Sequence, residues 1–238
     1  MSELFRIIHE DDELLVINKP AGLVCHPSKT GEMSSLIGRV RLHLGNGARP
    51  HLVNRLDRET SGVTLVAKKD ETARELRRLW EDRQVEKEYL AIVHGHVLEA
   101  SGVIEEALGK DEQSRVAVKD CVRADGSPAR TEFDVERRFE LDGAKFSLLR
   151  VRLETGRKHQ IRIHLAHIRH PVVGDNLYGA PSEVRDRRGD KLSLARNFLH
   201  AAALEFEHPA SHETLSFTTP LPAELKEFMA NLEAPDIA

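Results

Sequence analysis

The sequence predicts an α+β fold built as two lobes. Two observations carry that prediction. Strand-like and helix-like runs follow one another without the regular βαβ alternation of a doubly wound sheet. A pair of alternating runs, Thr131 to Arg138 and Lys145 to Leu153, meets at Asp142-Gly143, a hairpin turn that makes neighbouring strands antiparallel.

In chain order, Glu13 to Asn18 reads as a strand that ends in the turn Lys19-Pro20-Ala21-Gly22. Ser34 to Leu44 has helical spacing in Leu36, Ile37, Val40 and Leu44, and Gly45-Asn46-Gly47 stops it. Gly62 to Ala67 is a second strand. Asp70 to Arg83 is a charged helix with Ala73, Leu76, Leu79 and Trp80 on its buried stripe. Tyr89 to Val93 returns as a buried strand. From Glu99 to Ala129 the pattern weakens around Gly102, Gly109, Gly126 and Pro128, as expected of short strands and loops in a second lobe. Gln160 to Ile168 suits a helix with Ile161, Leu165 and Ile168 on one face. Ser182 to Arg196 is densely charged and predicted to be exposed. Ala202 to Phe206 and Thr214 to Phe217 are late strands before a helix opened by Pro222. With no repeat and no separating linker, residues 1–238 read as one catalytic-sized domain.

Bulk properties exclude several classes. Apolar residues make up 40% and charged residues 31% of the 238, ordinary values for a globular chain. No apolar run approaches the roughly 18 residues of a membrane-spanning helix, and Met1 to Arg6 does not open a signal peptide. Cys25 and Cys121 are too few for a disulfide framework and are not spaced as zinc ligands. The expectation is a cytoplasmic protein, monomeric, with reduced thiols and no metal. A net charge of −4 weighs against non-specific RNA affinity but not against a local basic surface.

Two segments concentrate chemistry. Asn54-Arg55-Leu56-Asp57-Arg58-Glu59-Thr60-Ser61-Gly62 feeds an apolar strand and can hold a carboxylate at the mouth of a cleft; it equally suits a charged turn capped by Thr60 and Ser61. Thr155-Gly156-Arg157-Lys158-His159-Gln160-Ile161-Arg162 enters a helix whose N-terminus, with Arg157 and Lys158, suits an anion, or is a solvated basic helix start. Arg162 can turn inward and pair with a carboxylate, keeping it ionised. His164, His167 and His170 lie three apart but lack a companion Cys or a His-Glu-x-x-His pattern, which favours packing or phosphate contact over metal. Arg74, Arg77, Arg78 and Arg83 suit either a basic ridge or a face of intrahelical ion pairs with Glu75, Glu81 and Asp82.

The loop Arg55 to Gly62 resembles the signature loop of RluA-type pseudouridine synthases, as does Thr155 to Leu165 with His170-Pro171-Val172-Val173-Gly174-Asp175 and Tyr178-Gly179. Asn18 to Gly22, Lys87 to Ala91 and Leu199-His200-Ala201 match in the same order, so the resemblance spans nearly the whole chain. It implies a mixed, largely antiparallel central sheet with a catalytic cleft. Asp57 would be the catalytic aspartate, Arg162 its ion-pair partner, and Tyr89 the aromatic group that stacks on the target base. Arg55 would enter the RNA, with Arg58, Arg157, Lys158 and His159 as further RNA contacts and Leu199 shaping the pocket. Two positions depart from the family: Asn54 replaces a His, and Lys158 stands where Thr or Ser is common. No S4-type RNA-binding domain is expected in these residues.

The reaction so implied breaks the bond from uracil N1 to C1′ and joins C5 to C1′. It needs no redox or phosphoryl transfer, hence no cofactor. A carboxylate can attack C1′ or remove a proton from C2′. The target base must be flipped out of its stack. The expected partner is structured RNA, a stem-loop of tRNA or rRNA. The alternatives are an inactive RNA-binding protein of the same fold, and a glycoside hydrolase, for which no second acid is evident.

Overall fold

The computed structural model describes residues 5–27, 34–45, 47–179, 184–185 and 191–233. The chain divides into two compact units, 1–87 with 201–220, and 88–200 with 221–238.

The first unit holds β1 (Arg6–Glu10), β2 (Leu14–Lys19), α1 (Leu36–Leu44), β3 (His51–Leu52), β4 (Ser61–Ala67) and α2 (Asp70–Glu81). Most of β13 (Leu199–Glu207) and all of β14 (Thr214–Thr218) complete it. Its strands run in the order β1-β2-β4-β13, with β3 beside β4 and β14 beside β13. The strand period of two explains its layers. Leu14 and Val16 of β2, with Val63 and Leu65 of β4, meet Ala73 and Leu76 of α2. Leu15 and Ile17, with Val66, meet Leu36 and Val40 of α1. The sheet is therefore covered on both faces, and every residue of β4 is buried. Ser35 caps α1 by accepting from Gly38 N–H, and Gly45 ends it at φ 87°.

The second unit holds most of β5 (Glu86–His94), then β6 (Ser101–Glu105), β7 (Leu108–Lys110), β8 (Asp120–Val122), β9 (Arg130–Leu141), β10 (Ala144–Leu153) and α3 (Gln160–His167). Short β11 (Val184–Arg185) and β12 (Lys191–Leu192) pair with each other, and α4 (Ala223–Glu233) ends it. Its main strands run β5-β10-β9-β6, each neighbouring pair antiparallel. The β9–β10 hairpin turns at Asp142 and Gly143, both at positive φ, as a tight hairpin requires. Ile163 of α3 packs on Leu108 and Ala129, and Phe228 of α4 meets Phe198 with ring centroids 5.9 Å apart.

The α+β expectation and the antiparallel sheet hold. Several boundaries move. Helix α2 ends at Glu81, short of Arg83, whose φ of 59° is left-handed. Strand β13 starts at Leu199 instead of Ala202. Strands β1 and β3 were not anticipated, β1 because a bulge between Ile7 and His9 breaks its alternation. Much of the charged stretch from Ser182 to Arg196 lies outside the described residues. Its last member is not exposed: Arg196 is buried, donating to the carbonyls of Asn197 and Leu199 and pairing with Glu224.

Candidate active site

In the first unit, Asp57 sits on the loop between β3 and β4, half-buried. Thr60 N–H donates to Asp57 C=O at 3.2 Å, closing a tight turn. The fully buried Lys19 ammonium fastens that loop from beneath, donating to the carbonyls of Pro20 (2.9 Å), Leu23 (2.8 Å) and Arg58 (3.2 Å). A lysine with no exposed surface is rare unless its charge is met. Here carbonyls from both loops meet it, so the Lys19–Leu23 turn and the Asp57 loop are tied together. Gly22 N–H donates to Arg58 C=O at 2.8 Å, and Arg58 Nε returns a bond to Gly22 C=O at 3.2 Å. Cys25 Sγ donates to Leu56 C=O at 3.3 Å, and burial pushes this thiol above its usual range.

The far end of the loop is equally constrained. Asn54 Nδ2 donates to Val63 C=O and its Oδ1 accepts from Leu65 N–H at 2.7 Å, so this departure from the family pattern serves to staple the loop to β4. Gly62 has φ +121°, and a Cβ there would lie 2.1 Å from Ala201 C=O oxygen; only glycine fits. Arg55 and Arg58 are exposed.

In the second unit, Tyr89 is buried on β5 opposite Val151 of β10. Arg162, on α3, is also buried and makes a fork with Asp175: Nε donates to Oδ2 at 2.6 Å and Nη2 to Oδ1 at 2.9 Å. Asp175 also accepts N–H bonds from Leu177 and Tyr178. Burial works to raise its pKa. The guanidinium and the two amides outweigh that and hold the carboxyl below the usual carboxylate range. The Tyr178 ring lies 5.1 Å from the Arg162 guanidinium, a cation–π contact. Its hydroxyl accepts from Asp120 N–H and meets His159 Nδ1 at 2.9 Å, and burial pushes its pKa up to about 12.

The segment around α3 is thus held by its own side chains. Gln160 Oε1 accepts from Arg157 N–H and the Thr155 hydroxyl, while Nε2 donates to Arg130 C=O and the Thr131 hydroxyl. His164 is fully buried between the Thr131 hydroxyl (2.8 Å) and Glu106 C=O (3.0 Å). A carbonyl only accepts, so Nε2 carries the proton and Nδ1 takes the hydroxyl hydrogen; burial lowers its pKa and keeps it neutral. Of the predicted RNA contacts, Arg157 Nε donates to Pro128 C=O at 3.2 Å and Lys158 Nζ pairs with Asp120 at 2.8 Å. Leu199 is buried at the start of β13, its carbonyl held by Arg196. Lys158, His159 and Arg162 are brought together around Asp120, Asp175 and Tyr178.

Three residues that hold this machinery, Lys19, Asp175 and Tyr178, stand in the matching segments of the sequence but were given no role there. Asp175 had a signal, since it follows Gly174, whose φ of +75° and close approach to Arg196 C=O mark a forced turn.

Comparison with known proteins places this α+β fold of antiparallel strands in a class of RNA-modifying domain. Residues 13–167 match the family model described as RNA pseudouridylate synthase. An uncharacterized RNA pseudouridine synthase of Chloroflexus aurantiacus is 40% identical over 91% of this chain and 66% of its own length. For YlyB of Bacillus subtilis, an uncharacterized RNA pseudouridine synthase, the figures are 37%, 95% and 72%. For the ribosomal large subunit pseudouridine synthase D of Nitrosomonas europaea they are 39%, 92% and 63%. The structure of human RNA pseudouridylate synthase domain containing 1 superposes with a TM-score of 0.72 at 26% identity, covering 100% of this chain and 99% of that one. The chain belongs to the RNA pseudouridylate synthase family. It spans about two thirds of the length of the bacterial relatives it matches.

Proposed function

We propose that this protein isomerises specific uridines in structured RNA to pseudouridine, with Asp57 as the group that acts on the ribose of the target. The observation that carries this reading is the Asp57 loop itself. It has the family's residues, and Lys19, Asn54 and Gly62 hold it rigidly, which is what a group that must meet C1′ or C2′ at bonding distance requires.

Both chemical routes start from the Asp57 carboxylate. As a nucleophile it bonds to C1′ while the N1 bond breaks; as a base it takes the C2′ proton. After the base turns, C5 bonds to C1′ and loses its hydrogen. Tyr89 serves as the stacking surface for the flipped base, which offsets part of the few kcal/mol of unstacking. The family resemblance gives Arg162 the role of keeping the catalytic carboxylate ionised, and within its own unit Asp175 fixes the direction of the guanidinium. The naming of relatives as large-subunit pseudouridine synthases makes ribosomal RNA the first substrate to try, with tRNA second.

The test uses rRNA and tRNA labelled with tritium at uridine C5. Wild-type protein is expected to release tritium, and Asp57→Ala to release none while keeping its melting temperature. Release by Asp57→Ala at the wild-type rate would refute the assignment. Absence of release by both, with RNA bound, would identify an RNA-binding member of the family without activity.

A further inference from the structure

We propose that an arginine-lined concavity on the first unit binds the phosphodiester backbone of the RNA strand flanking the target nucleotide. The inference rests on the RNA reading above. The concavity has a volume of about 730 Å³ and is lined by Arg41 of α1, Arg49 of the following loop, Arg55 of the Asp57 loop and Arg77 of α2, with His26 and His51. Such a volume accommodates a ligand larger than a single phosphate.

The charge arrangement is what singles this place out. The chain has more carboxylates than cations, 39 Asp and Glu against 35 Lys and Arg, so an exposed arginine ordinarily finds an acid nearby. On α2 itself, Arg74 reaches Glu71 at 3.9 Å and Arg78 reaches Asp82 at 3.7 Å. Arg77, between them, pairs with nothing among the described residues and turns to the concavity, as do Arg41, Arg49 and Arg55. Of the six basic residues, only His51 touches a carboxylate among the described residues, Asp70 at 2.5 Å. Four arginines lining one open concavity give it a positive potential, which salt screens and a bound polyanion neutralises. The field is felt within the site: burial, then the charges of Arg55 and Arg41, push the His26 pKa below its usual value.

A phosphate strand matches this lining better than a small nucleotide does. Guanidinium forks suit phosphate oxygens, whereas among the described lining residues no Phe, Tyr or Trp offers a platform for a base. Arg55 lines the concavity and stands two residues before Asp57, so a strand seated there touches the loop that carries the carboxylate.

The test uses the full chain with Arg41, Arg49 and Arg77 all changed to Gln, leaving Arg55 untouched. A fluorescein-labelled RNA stem-loop is titrated at several KCl concentrations, and tritium release is followed in parallel. Loss of three phosphate contacts is expected to flatten the plot of log affinity against log salt by about 2–3 units. The same loss weakens binding by roughly 10–100-fold at about 0.1 M salt. The turnover rate at saturating RNA stays near wild type, and the half-saturating RNA concentration rises with Kd. Unchanged RNA affinity and salt slope in a folded triple variant would overturn the proposal and direct attention to an acidic protein segment instead. The two readings fail separately. If the wild type shows the arginine-dependent slope but releases no tritium, the isomerase reading falls and the phosphate cleft stands. If tritium is released and the slope does not depend on the three arginines, the cleft falls alone.

Discussion

Arg162→Met keeps most of the side-chain volume on α3 and removes the charge opposite Asp175. In the parent the two groups are enclosed, with side-chain exposures of 8% and 0%. The variant leaves a buried carboxylate with only the N–H groups of Leu177 and Tyr178 as donors. Breaking a buried pair from one side costs roughly 3–5 kcal/mol at neutral pH. For a chain of this size that lowers Tm by roughly 6–20 °C. The pH dependence has a definite sign. In the parent, Asp175 has a depressed pKa, so its stabilisation is present above the unfolded value and is lost only as pH falls through the folded one. In the variant, burial without the counter-charge raises the folded pKa above the unfolded one. The penalty is then largest near about pH 8 and shrinks toward about pH 5, where Asp175 takes up a proton. Urea denaturation followed by circular dichroism across that range measures it. Adding Asp175→Asn, which still accepts the two N–H bonds, is expected to recover part of the loss. A loss below about 1 kcal/mol, or one that does not vary with pH, would show that the pair is not a buried charge pair in energetic terms.

Gly62→Ala puts a Cβ against the Ala201 carbonyl at φ +121°; a loss on the order of 3 kcal/mol or more, read from the urea midpoint, is expected. Tyr178→Phe removes the hydroxyl that meets His159 and Asp120, costing about 1–3 kcal/mol, and is expected to remove the late ultraviolet ionisation step that burial of this phenol predicts for the parent. Half-buried His94 and buried His164 both have pKa values lowered by desolvation, so below about pH 6.5 the unfolded chain binds more protons than the folded one and stability falls. Equal urea midpoints at about pH 7.5 and 5.5 would contradict that.

What could be read from the residues followed periodicity. The stripe of α2, the strands β2 and β4 and the Asp142-Gly143 hairpin are local patterns, and each appears where expected. The Asp57 and Arg162 segments were legible because charge, hydroxyls and glycine cluster within a few residues. Lys19 was not, since its burial depends on carbonyls 39 residues away at Arg58, and a lysine in a turn is ordinarily solvated. The arginine cleft was not either. Its four members come from four separate segments, none basic enough alone to stand out from a solvated helix face. For the arginines of α2 two readings were open, and the structure divides them: Arg74 and Arg78 are in ion pairs, Arg77 is not.

The first unit takes its last strands from residues beyond 200, and the backbone at Ala201 closes over Gly62. During synthesis, therefore, the part of the β4 edge that β3 leaves to β13 waits unpaired while more than a hundred further residues emerge. Until β13 arrives, that edge is a row of open backbone donors and acceptors, the kind of surface that recruits chaperones or mispairs with another nascent chain. The loop bearing Asp57 is covalently complete early and conformationally complete only near the end, so a chain released prematurely from the ribosome would carry the family's motif without a working site.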